Sequence, residues 1–264
     1  MAESVFVSLT TDFGAAYTGV MAGVVARIAP EARVQVLSDE VTPYAVVEGA
    51  TLLAQALPYL PVGVHVGVVD PGVGTDRLPV GVLTGRGDFL VGPDNGLLAH
   101  AAEALGGVVD ARVLAEPRLR LKETSSTFHG RDVFAPAAAH LARGVPLTEF
   151  GPPASLLPLH TPKPYTSDGF LSATVLYADA FGSLVLGARP SDLVDAFGLL
   201  PYGTVLDFEG HPTPWVKTYG DVPVGSPLLF QDSSGFLALG VNQGSAAREF
   251  AVQAGAHVSL HARA

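Results

Sequence analysis

Hydrophobic residues in the first part of the chain alternate between short β-branched runs and longer stretches with helical spacing. The runs Val5–Leu9, Arg33–Leu37 and Val64–Val69 are typical of buried strands. Between them, Tyr17–Ile28 and Tyr44–Leu57 place apolar residues at helical spacing, and a proline follows each of them closely. This order of elements predicts an α/β unit, a layered sheet with helices on both faces.

The same pattern continues to about residue 143. We predict further strands at Val80–Leu83 and Phe89–Val91. Further helices are predicted at Leu97–Leu105 and Asp132–Arg143, and glycine follows each of them, as is common at helix ends.

A proline-rich stretch separates this pattern from a different one. Five prolines lie between Gly151 and Asp168, which leaves little room for regular hydrogen-bonded structure. Beyond it, short strand-like runs alternate with glycine and proline turns at Leu171–Tyr177, Thr204–Phe208, Leu228–Phe230 and Phe236–Leu239. We therefore predict an α/β domain over residues 1–151, a proline-rich linker over 152–168 and an all-β, barrel-like domain over 169–264.

Composition narrows the possible functions. Hydrophobic residues make up 48% of the chain and charged residues 15%, so much of the surface is apolar or covered by a partner subunit, which predicts an oligomer. The net charge of −10 argues against a nucleic acid partner. The chain has no cysteine, which excludes disulfides, thiolate nucleophiles and cysteine-ligated zinc.

The sequence shows no pattern of export or membrane insertion. Its first apolar run begins at Val5 without a preceding basic segment, and no apolar run is long enough to span a bilayer. We expect a cytoplasmic protein that does not bind membranes.

The first candidate for chemistry is the segment Thr10–Gly14, which follows the first predicted strand. Ligands of open α/β sheets bind outside the carboxyl ends of the strands, so Asp12 is placed to accept hydrogen bonds from a bound diol. Asp12 is equally suited to cap the helix that follows. The residue types alone leave both interpretations open.

A second candidate is Val69–Arg77, which follows a strongly apolar strand. Its glycines resemble a dinucleotide-binding fingerprint until Arg77, which stands in place of the third glycine, and no helical pattern follows. What remains is a tight turn that brings Asp70 and Arg77 together. Taken alone, this pair is a structural ion pair more readily than a device that orients a reactive group.

Two further motifs are weaker. Asp94 or Asn95 is expected to cap the helix that follows them. His129 opens the last helix of the first domain, and it becomes interesting only if the fold brings it to Asp70 and Arg77. The histidines show no metal-binding spacing and no nucleophile-elbow motif is present, so neither a dedicated metal site nor a serine hydrolase is predicted.

Taken together, these segments resemble the S-adenosyl-L-methionine (SAM) hydroxide adenosyltransferase family, whose relatives include the fluorinase and chlorinase enzymes. The matching segments run in collinear order over nearly the whole chain: Leu9–Gly14, Thr42–Tyr44 with Glu48–Ala50, Val69–Arg77, Val91–Gly96, Phe128–Asp132, and Ser233–Phe236 with Val241–Gly244. The resemblance implies an α/β domain, a β-barrel domain and a homotrimer. It also implies a substrate bound between the first domain of one subunit and the second domain of its neighbour.

The resemblance further implies the chemistry. Hydrolytic members are similar in placing an aspartate, an arginine and a histidine around a nucleophilic water, and those positions are Asp70, Arg77 and His129. Halogenating members lack the arginine and the histidine. The implied reaction is the hydrolysis of SAM to adenosine and L-methionine by attack of water at ribose C5′, with no cofactor. Asp70 and His129 would accept hydrogen bonds from the water, and Arg77 would stabilise the carboxylate.

Other residues are implied to bind the substrate. Asp12 would hold the ribose hydroxyls, Tyr44 would line the ribose wall, and Asp179 and Ser233 would hold the amino and carboxylate groups of methionine. Phe181 would pack near the adenine, and the backbone at Asn242 and Gln243, after Val241, would read the adenine edge. Ser183 belongs to the same site but replaces the asparagine usual in the family, and Gly187 and Ala238 are further departures.

Three other interpretations remain open on the sequence. A halogenase that forms a 5′-halo-5′-deoxyadenosine is disfavoured by Arg77 and His129. A non-catalytic protein that binds adenosine or SAM is compatible with the departures from the family pattern. A metal-dependent hydrolase would use Asp12, Asp70 and His129.

Overall fold

The computed structural model describes residues 5–263, and the chain divides into two compact units, Met1–His160 and Thr161–Ala264. We describe the two units separately. Within residues 5–263, no helix has the length and apolar character needed to cross a membrane.

The first unit alternates strands with helices, as its sequence predicts. In chain order its elements are β1 (Phe6–Thr11), α1 (Gly14–Ile28), β2 (Arg33–Ser38), α2 (Val46–Ala56), β3 (Gly63–Val68), β4 (Pro79–Thr84), β5 (Phe89–Pro93), α3 (Ala99–Ala104), β6 (Val108–Val113) and α4 (Ala135–Ala142). A single π-helical turn, Gly130–Phe134, leads directly into α4.

The strands form one six-stranded sheet in the order β2-β1-β3-β5-β4-β6. Strands β1, β2, β3 and β5 pair in parallel, whereas β4 pairs antiparallel with both of its neighbours. One hydrophobic cluster joins the sheet to α1 and α4, and another joins it to α2 and α3. Helices therefore cover both faces, which confirms the predicted fold class, and the carboxyl ends of β1, β3 and β5 share one edge.

Four parts of the first region differ from the prediction. Strand β2, whose apolar run is typical of a buried strand, is instead exposed or half-buried along its whole length. Strand β6 was not predicted, because its side chains are mostly exposed or half-buried and show no apolar periodicity. The predicted helix from Asp132 begins instead with the π-turn. The proline-rich stretch is partly ordered by Ala154 N–H, which donates to Ala111 O at 2.9 Å, and by Leu157 N–H, which donates to Asp94 Oδ1 at 2.7 Å.

The second unit consists mainly of antiparallel strands. Its elements are β7 (Tyr165–Ser167), β8 (Phe170–Ala178), β9 (Leu184–Leu186), α5 (Pro190–Phe197), β10 (Val205–Phe208), β11 (His211–Pro214), β12 (Pro227–Gln231), β13 (Leu237–Val241), α6 (Ala246–Glu249) and β14 (His257–Ala262). Strand β7 lies within the stretch predicted to be a linker. The exact domain boundaries at 151 and 168 stay predictions.

The strand order in this sheet is β11-β10-β14-β8-β9-β13-β12, with β7 added alongside β8. Just beyond β11, Val216 N–H donates to Leu229 O of β12 at 2.9 Å, which links the two ends of the sheet. The result is a nearly closed antiparallel barrel around an apolar cluster that includes Phe208 and Leu239, and a smaller cluster includes Leu228 and Phe230. The predicted all-β second region is confirmed.

Candidate active site

The polar residues singled out in the first unit meet at one edge of its sheet. Asp12 follows β1, Asp70 follows β3 after one residue, and Asp94 follows β5 directly. Because these three strands are parallel neighbours, their carboxyl ends form the crevice where open α/β sheets bind ligands. His129 arrives at this edge from the start of the π-turn.

Asp70, Arg77 and His129 form one connected cluster. The Arg77 Nε–H lies 2.9 Å from Asp70 Oδ1 and 3.0 Å from Oδ2, and the Nη2 group also donates to Oδ2. The same Nη2 group lies 2.9 Å from Nδ1 of His129. Only 9% of the Arg77 side chain and 4% of the Asp70 side chain are exposed, so water screens this ion pair weakly.

The loop from Asp70 to Arg77 is a compact turn pressed against the segment before His129. Within the loop, Val73 N–H donates to Asp70 O at 3.3 Å and Thr75 N–H donates to Gly72 O at 3.1 Å. Gly74 has a φ of +80°, and a Cβ there would lie 2.9 Å from Ser126 O. Glycine is therefore required for this loop to approach the segment that carries His129.

The π-turn brings the side chains of His129 and Phe134 into contact with the Arg77 guanidinium. His129 precedes the turn and Phe134 ends it, and the Phe134 ring lies 5.3 Å from the Arg77 guanidinium carbon. A π-turn hydrogen-bonds residues five apart, so positions 129 and 134 fall on the same side of the helix. Gly130 has no room for a side chain, since a Cβ would lie 2.9 Å from both Met21 Sδ and Phe13 Cε2.

The protonation state of His129 follows from its contacts. Burial lowers the pKa of His129 below 6.5, and the positive charge of Arg77 lowers it further. A guanidinium only donates hydrogen bonds, so Nδ1 of His129 is the acceptor. The neutral ring therefore carries its proton on Nε2.

Asp12 does not cap α1. Phe13 occupies the N-cap position of that helix without a side-chain hydrogen bond. Asp12 Oδ2 instead accepts a hydrogen bond from the backbone N–H of Tyr44 at 2.9 Å. Tyr44 has a φ of +69° and is 73% exposed, so this bond holds a backbone conformation that is unfavourable for tyrosine.

Asp94 and Asn95 have separate roles. Asn95 Oδ1 accepts the N–H of Leu97 at 3.1 Å, and Asn95 is therefore the residue of the pair that caps the following turn. Asp94 is buried and accepts the N–H of Leu157, a contact 63 residues away in the chain. Burial raises the pKa of the Asp94 carboxyl, and the Leu157 bond opposes this rise.

In the second unit, Asp179, Phe181 and Ser183 share the turn between β8 and β9. Asp179 Oδ1 accepts the backbone N–H groups of Phe181 at 2.9 Å and Ser183 at 2.8 Å, which fixes the carboxylate. Phe181 is 80% exposed, and Ser183 is buried. The turn is fastened to α6, because Ala247 N–H donates to Gly182 O at 2.9 Å.

Tyr219 is a member of this cluster that sequence reasoning missed. Its hydroxyl lies 2.8 Å from Ser183 Oγ. Burial raises the pKa of Tyr219, and the nearby negative charges of Asp179 and Asp232 raise it further. No local signal could have found this residue, since it lies 36 positions from Ser183.

The remaining candidates of the second unit lie at the two ends of β13. Val241 is buried in the barrel cluster, Asn242 Nδ2 donates to Val222 O at 2.8 Å, and Gln243 is exposed with a φ of +56°. Strand β9 pairs with β13 so that Leu184 lies opposite Leu239. Val241, Asn242 and Gln243 therefore lie at the same end of the barrel as the Asp179 turn. Ser233 is exposed in the turn before β13, at its other end.

A second polar cluster of the first unit resembles a catalytic triad but is sealed. Ser8 Oγ lies 2.8 Å from Nδ1 of His65, and Nε2 of the same ring lies 3.1 Å from Asp88 Oδ1, with all three side chains fully buried. Arg86 pairs with the same aspartate. Across residues 5–263, no group of three or more His, Asp or Glu side chains is arranged to hold a metal ion.

Comparison with known sequence families matches both regions of the chain. The model of the SAM hydroxide adenosyltransferase N-terminal domain matches residues 7–151, and that of the C-terminal domain matches residues 173–259.

Individual relatives cover almost the full chain. An (R)-S-adenosyl-L-methionine hydrolase of Salinispora arenicola is 47% identical over 97% of each chain, and one of Thermus thermophilus is 38% identical over 95% of this chain and 97% of its own. A fluorinase of an Actinoplanes species is 28% identical over 90% of each chain. Among solved structures, an uncharacterized conserved protein from Thermotoga maritima aligns with a TM-score of 0.87 and 32% identity, over 97% of this chain and 100% of its own.

Proposed function

Because the chain belongs to the SAM hydroxide adenosyltransferase family, we propose that it hydrolyses (R)-S-adenosyl-L-methionine to adenosine and L-methionine. The observation that carries this proposal is the cluster in which one guanidinium contacts both Asp70 and His129. The (R) configuration at sulfur comes from the names of the relatives that are 38–47% identical to this chain.

The chemistry asks the protein mainly to position and activate water. The sulfonium is already a cationic leaving group, so no general acid is needed. The water oxygen attacks C5′ as the C5′–S bond breaks, the bonding electron pair passes to sulfur to give the methionine thioether, and one water proton leaves. Holding water in line behind C5′ is worth several kcal/mol on a scale of about 7–11 for well-oriented reactants.

We assign the proton to Asp70. With Nδ1 of His129 occupied by Arg77, the neutral ring would offer Nε2–H to the water as a donor. Asp70 is then the acceptor in the cluster, and its charge is stabilised by the bidentate Arg77 contact. His129 would orient the water while Asp70 takes the proton.

Residues of both units would bind the substrate. Asp12 would hold the ribose hydroxyls and Tyr44 the ribose wall, which the Asp12–Tyr44 bond supports by tying the two residues together. Asp179, whose carboxylate is fixed by two backbone donors, would hold the ammonium group of methionine. The other proposed substrate contacts are Phe181, Ser183, Ser233, Val241, Asn242 and Gln243.

We also propose a homotrimer in which neighbouring subunits complete each site. The low charged fraction of 15% supports an assembly that buries subunit surface. Sedimentation should give a species of three times the 27.2 kDa chain mass. Mixing Asp70→Asn and Asp179→Ala chains should restore part of the activity that each lacks alone. A monomer that is fully active would refute the shared site.

The reaction is tested by chromatography. Purified protein is incubated separately with the two sulfonium epimers, and adenosine and methionine are quantified, with EDTA in a parallel sample. We expect adenosine from the (R) epimer at a rate that EDTA does not change. A 5′-halo-5′-deoxyadenosine formed in chloride or fluoride without adenosine would indicate a halogenase, and tight binding without turnover would indicate a binding protein.

A further inference from the structure

The loop that carries Asp70 and Arg77 is held at both of its ends by two consecutive residues. At its beginning, Val69 O accepts a hydrogen bond from the Asn95 side-chain amide at 2.8 Å. At its end, Leu78 O accepts one from the backbone N–H of Asp94, also at 2.8 Å. The end-of-strand segment after β5 thus clamps the reactive loop.

The Asn95 side chain bonds to the β3 side of the sheet beyond the last backbone pairing of β3 with β5. The parallel ladder between β3 and β5 has its last register pair at Val66 and Val91. Beyond that pair, the Asn95 amide links the β5 side to Val69, the residue directly before Asp70. The Val69 side chain is fully buried, so its core packing and its carbonyl bond together fix the peptide that leads into Asp70.

Asn95 has little freedom to move. Its Oδ1 accepts the N–H of Leu97 at 3.1 Å while its Nδ2 donates to Val69 O. Both ends of the amide are therefore in use, and the orientation of the group is set by opposite requirements of donor and acceptor. This is more than helix capping needs, since the cap uses Oδ1 alone.

From this geometry we infer that Asn95 is a positioning residue for the reaction, because its side-chain amide sets the place of Asp70 through the Val69 carbonyl. The inference rests on the proposed function, in which Asp70 receives the water proton. A misplacement of about 1 Å in a reacting group can cost about 100-fold in rate. Substrate contacts are made elsewhere, so the loss should fall on kcat and not on KM.

The informative variant is Asn95→Asp. It keeps the acceptor for Leu97 N–H but puts a carboxylate oxygen against the Val69 carbonyl, where no hydrogen bond forms. We expect kcat to fall about 10- to 100-fold with KM within about twofold. As pH falls, the new carboxyl group becomes protonated and can donate to Val69 O, so the ratio of variant to wild-type kcat should rise.

Two further variants separate positioning from general damage. Asn95→Ala lacks the bonds to both Val69 and Leu97, so it should show the kcat loss without recovery at low pH. This variant replaces Asn95→Asp in the test if the aspartate variant does not fold. Thr51→Val removes a 2.8 Å side-chain bond to Val47 O within α2 and should keep wild-type kcat. An equal loss in Thr51→Val would overturn the inference.

A measurement independent of activity reports the geometry itself. The NMR signal of the Arg77 Nε–H group, which donates to Asp70, should shift in Asn95→Asp and stay in place in Thr51→Val. An unshifted signal together with kcat within about twofold of wild type refutes the positioning role. If wild-type protein makes no adenosine, the proposed function fails, and the Arg77 signal still decides whether Asn95 holds Asp70.

Discussion

The Arg77 Nη2 group lies 2.9 Å from Nδ1 of His129, and the same guanidinium pairs with Asp70. One side chain thereby fixes the tautomer of the histidine and the orientation of the carboxylate. An ion pair alone would explain Asp70 and Arg77 structurally. In the proposed reaction, the third contact gives this arrangement a defined donor and a defined acceptor for a water molecule.

The activity should persist below the pH at which an ordinary histidine becomes charged. Burial and Arg77 lower the pKa of His129 below 6.5, and protonation of Nδ1 would break the bond to Arg77. A profile of kcat/KM between about pH 5 and about pH 8 should therefore show its acid limb below 6.5. His129→Ala should have lower turnover and lack this limb. An acid midpoint above 6.5 would contradict the neutral-ring assignment.

Arg77→Lys should lower kcat by about 100-fold while KM changes little. Lysine keeps the charge, but a single ammonium cannot reproduce the fork that contacts Asp70 and His129 together. Steady-state kinetics measures the effect. The matched control is Arg118→Lys, in which an arginine whose side chain is 81% exposed pairs with Glu116, and it should behave as wild type.

Asp70→Asn should be nearly inactive but folded. The amide has the shape of the carboxylate and can still accept a hydrogen bond, yet it cannot take up the water proton at neutral pH. We expect a loss in kcat of about 10²- to 10⁴-fold, the range for removal of a general base. Thermal unfolding and adenosine binding by calorimetry provide the controls. Retention of wild-type kcat would mean that another group accepts the proton.

Asp12→Ala should affect binding more than turnover. The variant loses a charged acceptor for the ribose hydroxyls and also frees the Tyr44 backbone. A hydrogen bond to a charged group is worth about 1.5–3 kcal/mol, so KM and the Kd for adenosine should rise about 10- to 100-fold. Tyr44→Gly removes the side chain at the +69° position without backbone strain, and it shows how much of the effect comes from the tyrosine. A kcat loss with unchanged Kd would contradict the proposed role of Asp12.

The buried His65 should make the protein less stable in mild acid. Burial lowers the pKa of His65 below 6.5, so the unfolded chain binds this proton more readily, and the free energy of unfolding falls as pH drops through that range. Burial of Asp88 disfavours its charged form, but hydrogen bonds from Arg86, Gly63 and His65 together lower its pKa below 3.8. The contribution of the Asp88 carboxylate to the free energy of unfolding is therefore lost only at more acidic pH.

Urea unfolding at about pH 7 and about pH 5 tests this prediction. His65→Gln should be less stable than wild type at the higher pH, by about 1–3 kcal/mol for disturbing a buried hydrogen-bonded network. The difference between the two proteins should shrink at the lower pH, because only the wild-type chain takes up a proton at this position when it unfolds. A difference that is independent of pH would show that His65 has the same pKa in the folded and unfolded states, which would contradict the prediction.

The elements that the sequence predicts well are those whose pattern is local. Buried strands such as β1 and β3 carry continuous apolar runs, and α1 carries apolar residues at helical spacing. These elements can therefore be predicted from residues that are close together in the sequence. Strand β6 is mostly exposed or half-buried and lacks that pattern. Its place is set by pairing with β4, a partner from an earlier part of the chain.

The candidate site depends even more on contacts between residues that are distant in the sequence. Sequence motifs named Asp70, Arg77 and His129, but single-residue reasoning favoured structural roles, and only the fold joins positions 52 residues apart. The sequence around Asp94 predicts a possible helix cap, whereas the Asp94 carboxylate accepts a hydrogen bond from Leu157, 63 residues away in the chain. Nothing near Asn95 in the sequence indicates its bond to Val69. The substrate-binding roles in the second unit stay predictions.

The π-turn makes the site depend on the number of residues as well as on their identity. Deleting one residue from Gly130–Phe134 would allow an ordinary α-helix to form, at the cost of rotating the preceding chain by about 100° about the helix axis. His129 would then swing away from Arg77 although every named side chain was still present. We therefore expect a change in segment length at this point to disrupt the proposed water-binding arrangement even when Asp70, Arg77 and His129 are all unchanged.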